Sequence, residues 1–202
     1  ILSEVVKVDA ERKLVTVHSK DKGFYDESFD YLVIAPGAKP VKPPIHGIDS
    51  SLIFSLRDIS DMDKIKEKAE KNLKGDAIVI GGGFIGIETA ENLHERGMKV
   101  SLVEAAPHIL APFDSEMSIQ AEHELEEHGI SLYINDAVCA FEEIDGRIHV
   151  ELSSGKILKG DFVVSAIGVA PDTAFLKDSG IALGARGHIL TDEYLRTNYP
   201  FI

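Results

Sequence analysis

Residues 76–104 constrain this 202-residue chain more tightly than any other stretch. Asp76-Ala-Ile-Val-Ile leads into G-x-G-x-x-G, with glycines at Gly81, Gly83 and Gly86. An amphipathic helical pattern follows, and the next apolar run, Lys99-Val-Ser-Leu-Val, ends in an acid, Glu104. That order matches a strand, a tight turn, a helix and a second parallel strand with a carboxylate at its end. Gly81 lets the chain turn off the strand. Gly83 carries no side chain, so a ligand can approach the backbone, and Gly86 lets the helix pack closely on the strands. The helix N-terminus offers free N–H groups and roughly +0.5 charge, a seat for a diphosphate. Glu104 follows Gly86 by 18 residues, near the spacing of about 20 at which an acid accepts ribose hydroxyls. The pattern predicts a bound dinucleotide. The alternative, a plain β-turn-α joint without ligand, leaves the flanking strands and terminal acid unexplained.

Glu104 also favours NAD(H) over NADP(H). A 2′-phosphate carries about −1.5 to −2 charge. Close to a carboxylate in a partly desolvated site it would cost on the order of a few kcal/mol. The residues that follow, Ala105, Ala106, Pro107 and His108, supply no Arg or Lys to offset this.

Composition excludes several classes. A net charge of −13 opposes nucleic acid and anionic membrane surfaces as partners. One cysteine leaves no disulfide or dithiol pair within these residues. No apolar run reaches the roughly 18 residues of a membrane span, and Ile1-Leu-Ser-Glu lacks the basic start of a signal peptide. A cytoplasmic setting is the expectation.

Along the chain, residues 1–35 read as an antiparallel meander, with strands at Ile1–Val8, Lys13–His18 and Ser28–Ala35. Prolines and glycines make residues 36–50 an irregular connector. A helix is predicted from about Ser60 to Leu73, with Met62, Ile65, Ala69 and Leu73 on one face. A further helix runs from about Asp114 to His128, and Ser131–Asn135 is a short third parallel strand. The period then changes. Ala137–Ile144, Arg147–Leu152 and Ile157–Lys159 alternate, joined by the hairpin turns Asp145-Gly146 and Ser154-Gly155. The apolar run 161–167 reads as a buried strand returning to the parallel sheet. The expected fold is α/β: a Rossmann-like parallel sheet with helices on both faces and an antiparallel β-meander crossover.

Four segments, in order, resemble one family. Tyr31-Leu-Val-Ile-Ala-Pro-Gly-Ala-Lys-Pro is similar to the "ATG" segment of two-dinucleotide-binding flavoproteins. Gly81–Glu88 resembles their NAD motif. Asp161-Phe-Val-Val-Ser-Ala-Ile-Gly-Val-Ala-Pro-Asp resembles their strand ending in "A-x-G-x-x-P-N", and 187–198 resembles the strand leading back to the flavin domain. Together they cover nearly the whole chain and resemble the pyridine nucleotide-disulfide oxidoreductases. The coenzyme A-disulfide reductase and NADH oxidase branch looks nearest, on 29–34 and 105–114. There are departures: an N-terminal flavin G-x-G-x-x-G and a redox cysteine are absent, proline replaces threonine at Pro36, and the "G-D" flavin motif is not reached. The chain looks like a central slice of a longer, homodimeric enzyme, with the redox cysteine expected upstream and no catalytic residue in this piece.

The resemblance implies residues 1–37 as part of an FAD-binding domain, 38–58 as connector, 59–185 as an NAD(H)-binding domain and 186–202 as a return segment. It implies a parent that passes a hydride from NADH to FAD and on to a disulfide such as coenzyme A disulfide, to dioxygen or to peroxide. The piece alone is expected to be inactive and to hold no FAD. Gly81, Gly83, Phe84, Ile85 and Gly86 would cradle the pyrophosphate and Glu104 would take the adenosine ribose. Glu88 would lie near the nicotinamide amide, and Gly168 would let backbone approach the cofactor. Phe84 stands where related enzymes place an aromatic gate over the flavin. Plainer readings remain for each: Glu88 as an acid complementing the dipole in the helix's first turn, Phe84 as a core aromatic, Gly168 as a strand end, Glu104 as a solvated acid. An NAD-binding sensor without redox chemistry is the competing function. Cys139 reads as a structural cysteine facing an apolar layer, and no histidine pair has metal-site spacing.

Overall fold

Alternation along Asp76–Ile80 sets the layering of the main unit. In the computed structural model, which describes residues 2–202, Ala77 and Val79 point into one hydrophobic cluster and Ile78 and Ile80 into another. In chain order the strands and helices are β1 Ser3–Asp9, β2 Leu14–Ser19, β3 Gly23–Ser28, β4 Ala38–Pro40, β5 Ile53–Ser55, α1 Ile59–Lys71, β6 Asp76–Ile80, α2 Phe84–Glu95, β7 Lys99–Val103, α3 Ser115–Glu127, β8 Ser131–Tyr133, β9 Val138–Ile144, β10 Arg147–Leu152, β11 Ile157–Gly160, β12 Phe162–Ser165 and β13 Val169–Pro171. They group into two compact units, 40–168 and 1–39 with 169–202.

In the 40–168 unit, five strands form a sheet in the order β5-β12-β6-β7-β8, with parallel pairing throughout. The α/β class and the parallel sheet are as the sequence indicates. The layering differs in one respect: helices do not cover both faces. Ile65 and Ala69 of α1, Ala90 and Leu93 of α2 and Leu125 of α3 all join the cluster with Ala77, Val79, Leu102 and Phe162. The opposite face is covered by the meander β9-β10-β11, through Phe141, Ile148, Val150 and Leu158. The crossover that follows β8 is therefore a sheet layer, and it excludes helices from that face. Both predicted hairpin turns form, with positive φ at Asp145, Gly146 and Gly155, as tight hairpins require.

Other readings shift. The connector contains β5, which pairs with β12 at the sheet edge. Helix α1 ends at Lys71, so Leu73 lies beyond it and is exposed, as is Met62. Asp58 caps α1, its Oδ1 accepting from the Asp61 N–H at 3.0 Å. Cys139 is exposed rather than packed: the buried residue of β9 is Phe141, two positions on, and Cys139 sits at the bulged end of the pairing with β10.

In the second unit, β1-β2-β3 form the expected antiparallel sheet, but its third strand is Gly23–Ser28, not 28–35. Ile1 of the first predicted strand lies outside the described residues. Residues 29–37 run outside any strand; Leu32 and Ile34 pack on a small core around Val8, Leu176 and Ile181, while Tyr31 and Val33 are exposed. Residues 187–198 contribute a single bridge, Leu183 to Ile189, rather than a strand. Residues 169–185, read with the dinucleotide domain, group with 1–39 instead.

Candidate functional site

The residues singled out by the glycine motif converge at the carboxyl ends of β6, β7 and β12, all within the 40–168 unit. Gly81 leaves β6 with φ +106° and donates its N–H to Val103 O at 2.8 Å. Its turn lies against the Ala166 carbonyl after β12, leaving no room for a Cβ. Gly86, in the first turn of α2, sits directly on the carbonyl of Gly81, so a side chain there would overlap backbone. Gly83 is the N-cap of α2, offers no side-chain cap, and has nothing within 4 Å of where a Cβ would stand. The first turn of α2 therefore presents its N–H groups at an open surface.

Glu104 follows β7 and is half-buried. Its Oε2 accepts from the Gly82 N–H at 2.6 Å and its Oε1 from the Ala106 N–H at 2.7 Å. It is thus no freely solvated acid: two backbone donors fix the carboxylate beside the glycine turn. Each oxygen keeps lone-pair capacity for a further donor. The backbone around it is equally tied, with Glu104 N–H donating to Tyr133 O at 2.8 Å and Asp136 N–H donating to Glu104 O at 3.1 Å.

The loop after Glu104 clamps the turn from above. Ile109 is fully buried against Gly82, and the Leu110 N–H donates to Gly82 O at 2.8 Å. Glu122 of α3 holds this loop, accepting from the Ile109 N–H at 3.1 Å and meeting His108 Nδ1 at 3.1 Å. Phe84 is 60% exposed and touches Phe113 edge-on at 6.0 Å, so it is not a core aromatic. Ile85 is also exposed. Glu88 lies on the exposed α2 face, at four-residue spacing from Phe84 and Asn92. Because α2 begins at Phe84, Glu88 falls past the first turn, and the dipole-complementing reading of it fails. Gly168 lies beyond β12, with open space at its Cβ position.

A cavity of about 260 Å³ opens beside Glu104, lined by Ile80, Val103, Val138 and Ile167 together with Asp136. Asp136 is buried, and its carboxyl is held below the usual carboxylate range, first by the Ser154 hydroxyl and then by the Ser153 hydroxyl and Ser154 N–H.

Gly82, Ile109, Glu122 and Asp136 were not singled out by the motif. Two had a legible signal. Asp136 follows the third parallel strand, at the sheet end where ligands bind in open α/β folds. Glu122 shares the buried helical face of Ser118 and Leu125, a polar residue at an apolar register position. Among the described residues no cluster of three potential metal ligands occurs and no helix is long and apolar enough to cross a membrane.

The whole chain, residues 1–202, matches the profile of the pyridine nucleotide-disulphide oxidoreductases. A coenzyme A disulfide reductase from Staphylococcus aureus is 31% identical over 200 residues, which is 98% of this chain and 44% of that protein. The reduced Bacillus anthracis CoADR-RHD structure superposes with a TM-score of 0.91 at 41% identity, over 99% of this chain and 36% of that one. The water-forming NADH oxidase of Lactobacillus brevis bound to NADH gives 0.90 at 29% identity, over 98% and 44%. The chain thus spans less than half the length of these relatives, which are oxidoreductases. With motif, fold and full-length match in agreement, the chain belongs to the pyridine nucleotide-disulphide oxidoreductase family.

Proposed function

We propose that the 40–168 unit binds NAD(H) for a longer, homodimeric flavin-dependent oxidoreductase, which reduces a disulfide such as coenzyme A disulfide, dioxygen or peroxide. The observation that carries this reading is the Glu104 carboxylate, fixed by the Gly82 and Ala106 N–H groups beside an uncapped helix N-terminus. The residues fit the group. Gly83 leaves the space a diphosphate needs, and the N–H groups of the first α2 turn supply its donors. Glu104 can accept both adenosine ribose hydroxyls without reorganising, because its rotamer is already set. Gly81 and Gly86 keep the strand end and helix in contact. Glu88 and Phe84 share the exposed α2 face, where Glu88 can accept from a carboxamide and Phe84 can shield a planar ring from water. Gly168 lets backbone close on the ligand from the β12 side.

When bound, NADH supplies the hydride. These residues place and hold the donor. A fixed negative charge at Glu104, with no cation after it, disfavours a 2′-phosphate.

Calorimetry of this chain with NADH and NADPH tests the assignment. NADH should bind more tightly, and Glu104→Ala should weaken NADH about 10- to 100-fold, the loss of one or two hydrogen bonds to a charged acceptor, while NADPH changes less. No heat with NADH would end the proposal; equal losses for both nucleotides would remove Glu104 from the ribose site.

A further inference from the structure

The peptide unit joining Gly82 to Gly83 lies between two glycines. Glycine adopts positive and negative φ about equally, so local sterics do little to stop this unit from rotating. In the structure it is nevertheless held. The Gly82 N–H donates to Glu104 Oε2 at 2.6 Å, and the Gly82 carbonyl accepts from the Leu110 N–H at 2.8 Å. Ile109 is fully buried against the same residue, and a Cβ on Gly82 would stand 2.6 Å from its Cγ2. The peptide bond is trans, so the Gly83 N–H points opposite to the Gly82 carbonyl, away from Leu110. The loop makes this contact under strain. Leu110 has φ +52°, in the left-handed region that a leucine enters only when its surroundings force it there. The force comes from α3. Glu122 is 8% exposed. Its Oε1 accepts from the Ile109 N–H at 3.1 Å and lies 3.1 Å from His108 Nδ1, with Oε2 at 3.4 Å. One carboxylate thus grips the two residues that immediately precede Leu110.

We propose that Glu122 is a positioning residue for the diphosphate: by holding the 105–114 loop, it locks the Gly82–Gly83 peptide with its N–H turned to the ligand and its carbonyl turned away. This rests on the NAD(H) reading above. Flipping that peptide would exchange the Gly83 N–H for the Gly82 oxygen at an anion seat, replacing attraction by repulsion. Glu104 fixes the peptide before Gly82, and the loop fixes the peptide after it. The seat is therefore ordered before the ligand arrives, and binding does not have to order it. The requirement at residue 122 is an oxygen acceptor in a fixed place. Glutamine keeps one in its amide oxygen; leucine fills a similar volume without one.

Calorimetry with NADH on the 202-residue chain and its Glu122 variants tests this, below the melting transition seen by circular dichroism. Glu122→Leu should weaken NADH about tenfold, the scale of one misdirected hydrogen bond to a charged group. Glu122→Gln should stay within about threefold of wild type. A carboxylate that only stabilised the fold would leave the affinity of folded Glu122→Leu unchanged, and that result overturns the proposal. Equal tenfold losses in both variants overturn it too, because glutamine keeps the acceptor. Amide hydrogen exchange, read by NMR, gives a test that needs no variant. In the unliganded wild-type chain the Leu110 N–H should exchange at least about 100-fold more slowly than in an unstructured peptide, since the lock precedes the ligand. Unprotected exchange at Leu110 overturns the proposal even if Glu122→Leu fails to fold. A wild-type chain with Leu110 protected but no heat with NADH refutes the NAD(H) reading instead, so the two failures are distinct.

Discussion

Substituting Gly86 by alanine tests the packing that creates the site. On helix propensity alone the change should help, by about 1 kcal/mol in a helix interior. The structure predicts the reverse. A methyl at Gly86 would overlap the Gly81 carbonyl oxygen and lie 3.0 Å from its carbon, where ordinary contact begins at 3.4 Å. Both atoms are backbone and belong to a turn that is itself wedged against Ala166. No rotamer relieves the clash, so α2 must lift off the turn. Overpacking of this kind costs about 1–3 kcal/mol, occasionally more. Set against the propensity gain, the net loss should be about 1 kcal/mol, or roughly 2–4 °C in Tm for a chain of this size. Far-UV circular dichroism melts suit the measurement, since the chain has no tryptophan. Gly83→Ala is the control. No atom lies within 4 Å of its Cβ position, so the cost is the weaker N-cap alone, about 0.5 kcal/mol. Its effect should fall on the ligand, with NADH affinity reduced about tenfold, or 1.4 kcal/mol. A Gly86→Ala protein as stable as wild type would refute the close-approach argument; a Gly83→Ala protein with unchanged NADH affinity would refute the diphosphate seat.

Three further outcomes follow from the same geometry. Ile109→Ala removes a fully buried side chain and should cost about 2–4 kcal/mol in urea unfolding, with weaker NADH binding as the loop over Gly82 loosens; NADH affinity unchanged at full occupancy of the folded state would separate the loop from the site. Glu104→Asp keeps the charge but withdraws it by one methylene, so it cannot hold both N–H groups and reach the ribose. NADH affinity should fall by about tenfold or more while preference against NADPH persists, and a switch to NADPH would contradict that. Asp136 has its folded pKa below the ordinary 3.8, so it contributes stability above that value and loses it as pH falls through the lower folded pKa. Asp136→Asn should therefore be destabilised at pH 5–7 and show a shallower decline in Tm below about pH 4. Parallel Tm–pH curves for the two proteins would show that the carboxylate is not the group titrating.

What the sequence made legible here is what is local. The glycine turn, the helices and the two hairpins follow from short-range rules about φ, capping and period, and they appear within a residue or two of their predicted ends. The errors share another origin. Tyr31-Leu-Val-Ile alternates as a strand does, and in the structure Leu32 and Ile34 do turn inward. Alternation specifies an extended backbone, but a strand also needs a neighbour to exchange hydrogen bonds with, and that neighbour is set by topology. Here the Leu32 N–H donates to Phe201 O, and Phe201 lies in a turn, not a strand. Layering failed for the same reason: a fully apolar strand such as β12 reveals that both faces are covered, not whether helix or sheet covers them. The site divides along this line too. Gly81, Gly83, Gly86 and Glu104 sit at fixed spacing in one β-α-β unit and could be named from it. Gly82 and Ala106 act through backbone N–H groups, which every residue but proline carries, so nothing in their side chains marks them. Asp136 reaches the cavity because β7 and β8 are neighbours and because a hairpin 17 residues on supplies its serine partners. A binding site assembled at the ends of parallel strands draws each contribution from a different crossover. Here the glycine turn lies inside one crossover and is written in a motif; the cavity beside Glu104 lies between crossovers, where only the fold brings the residues together.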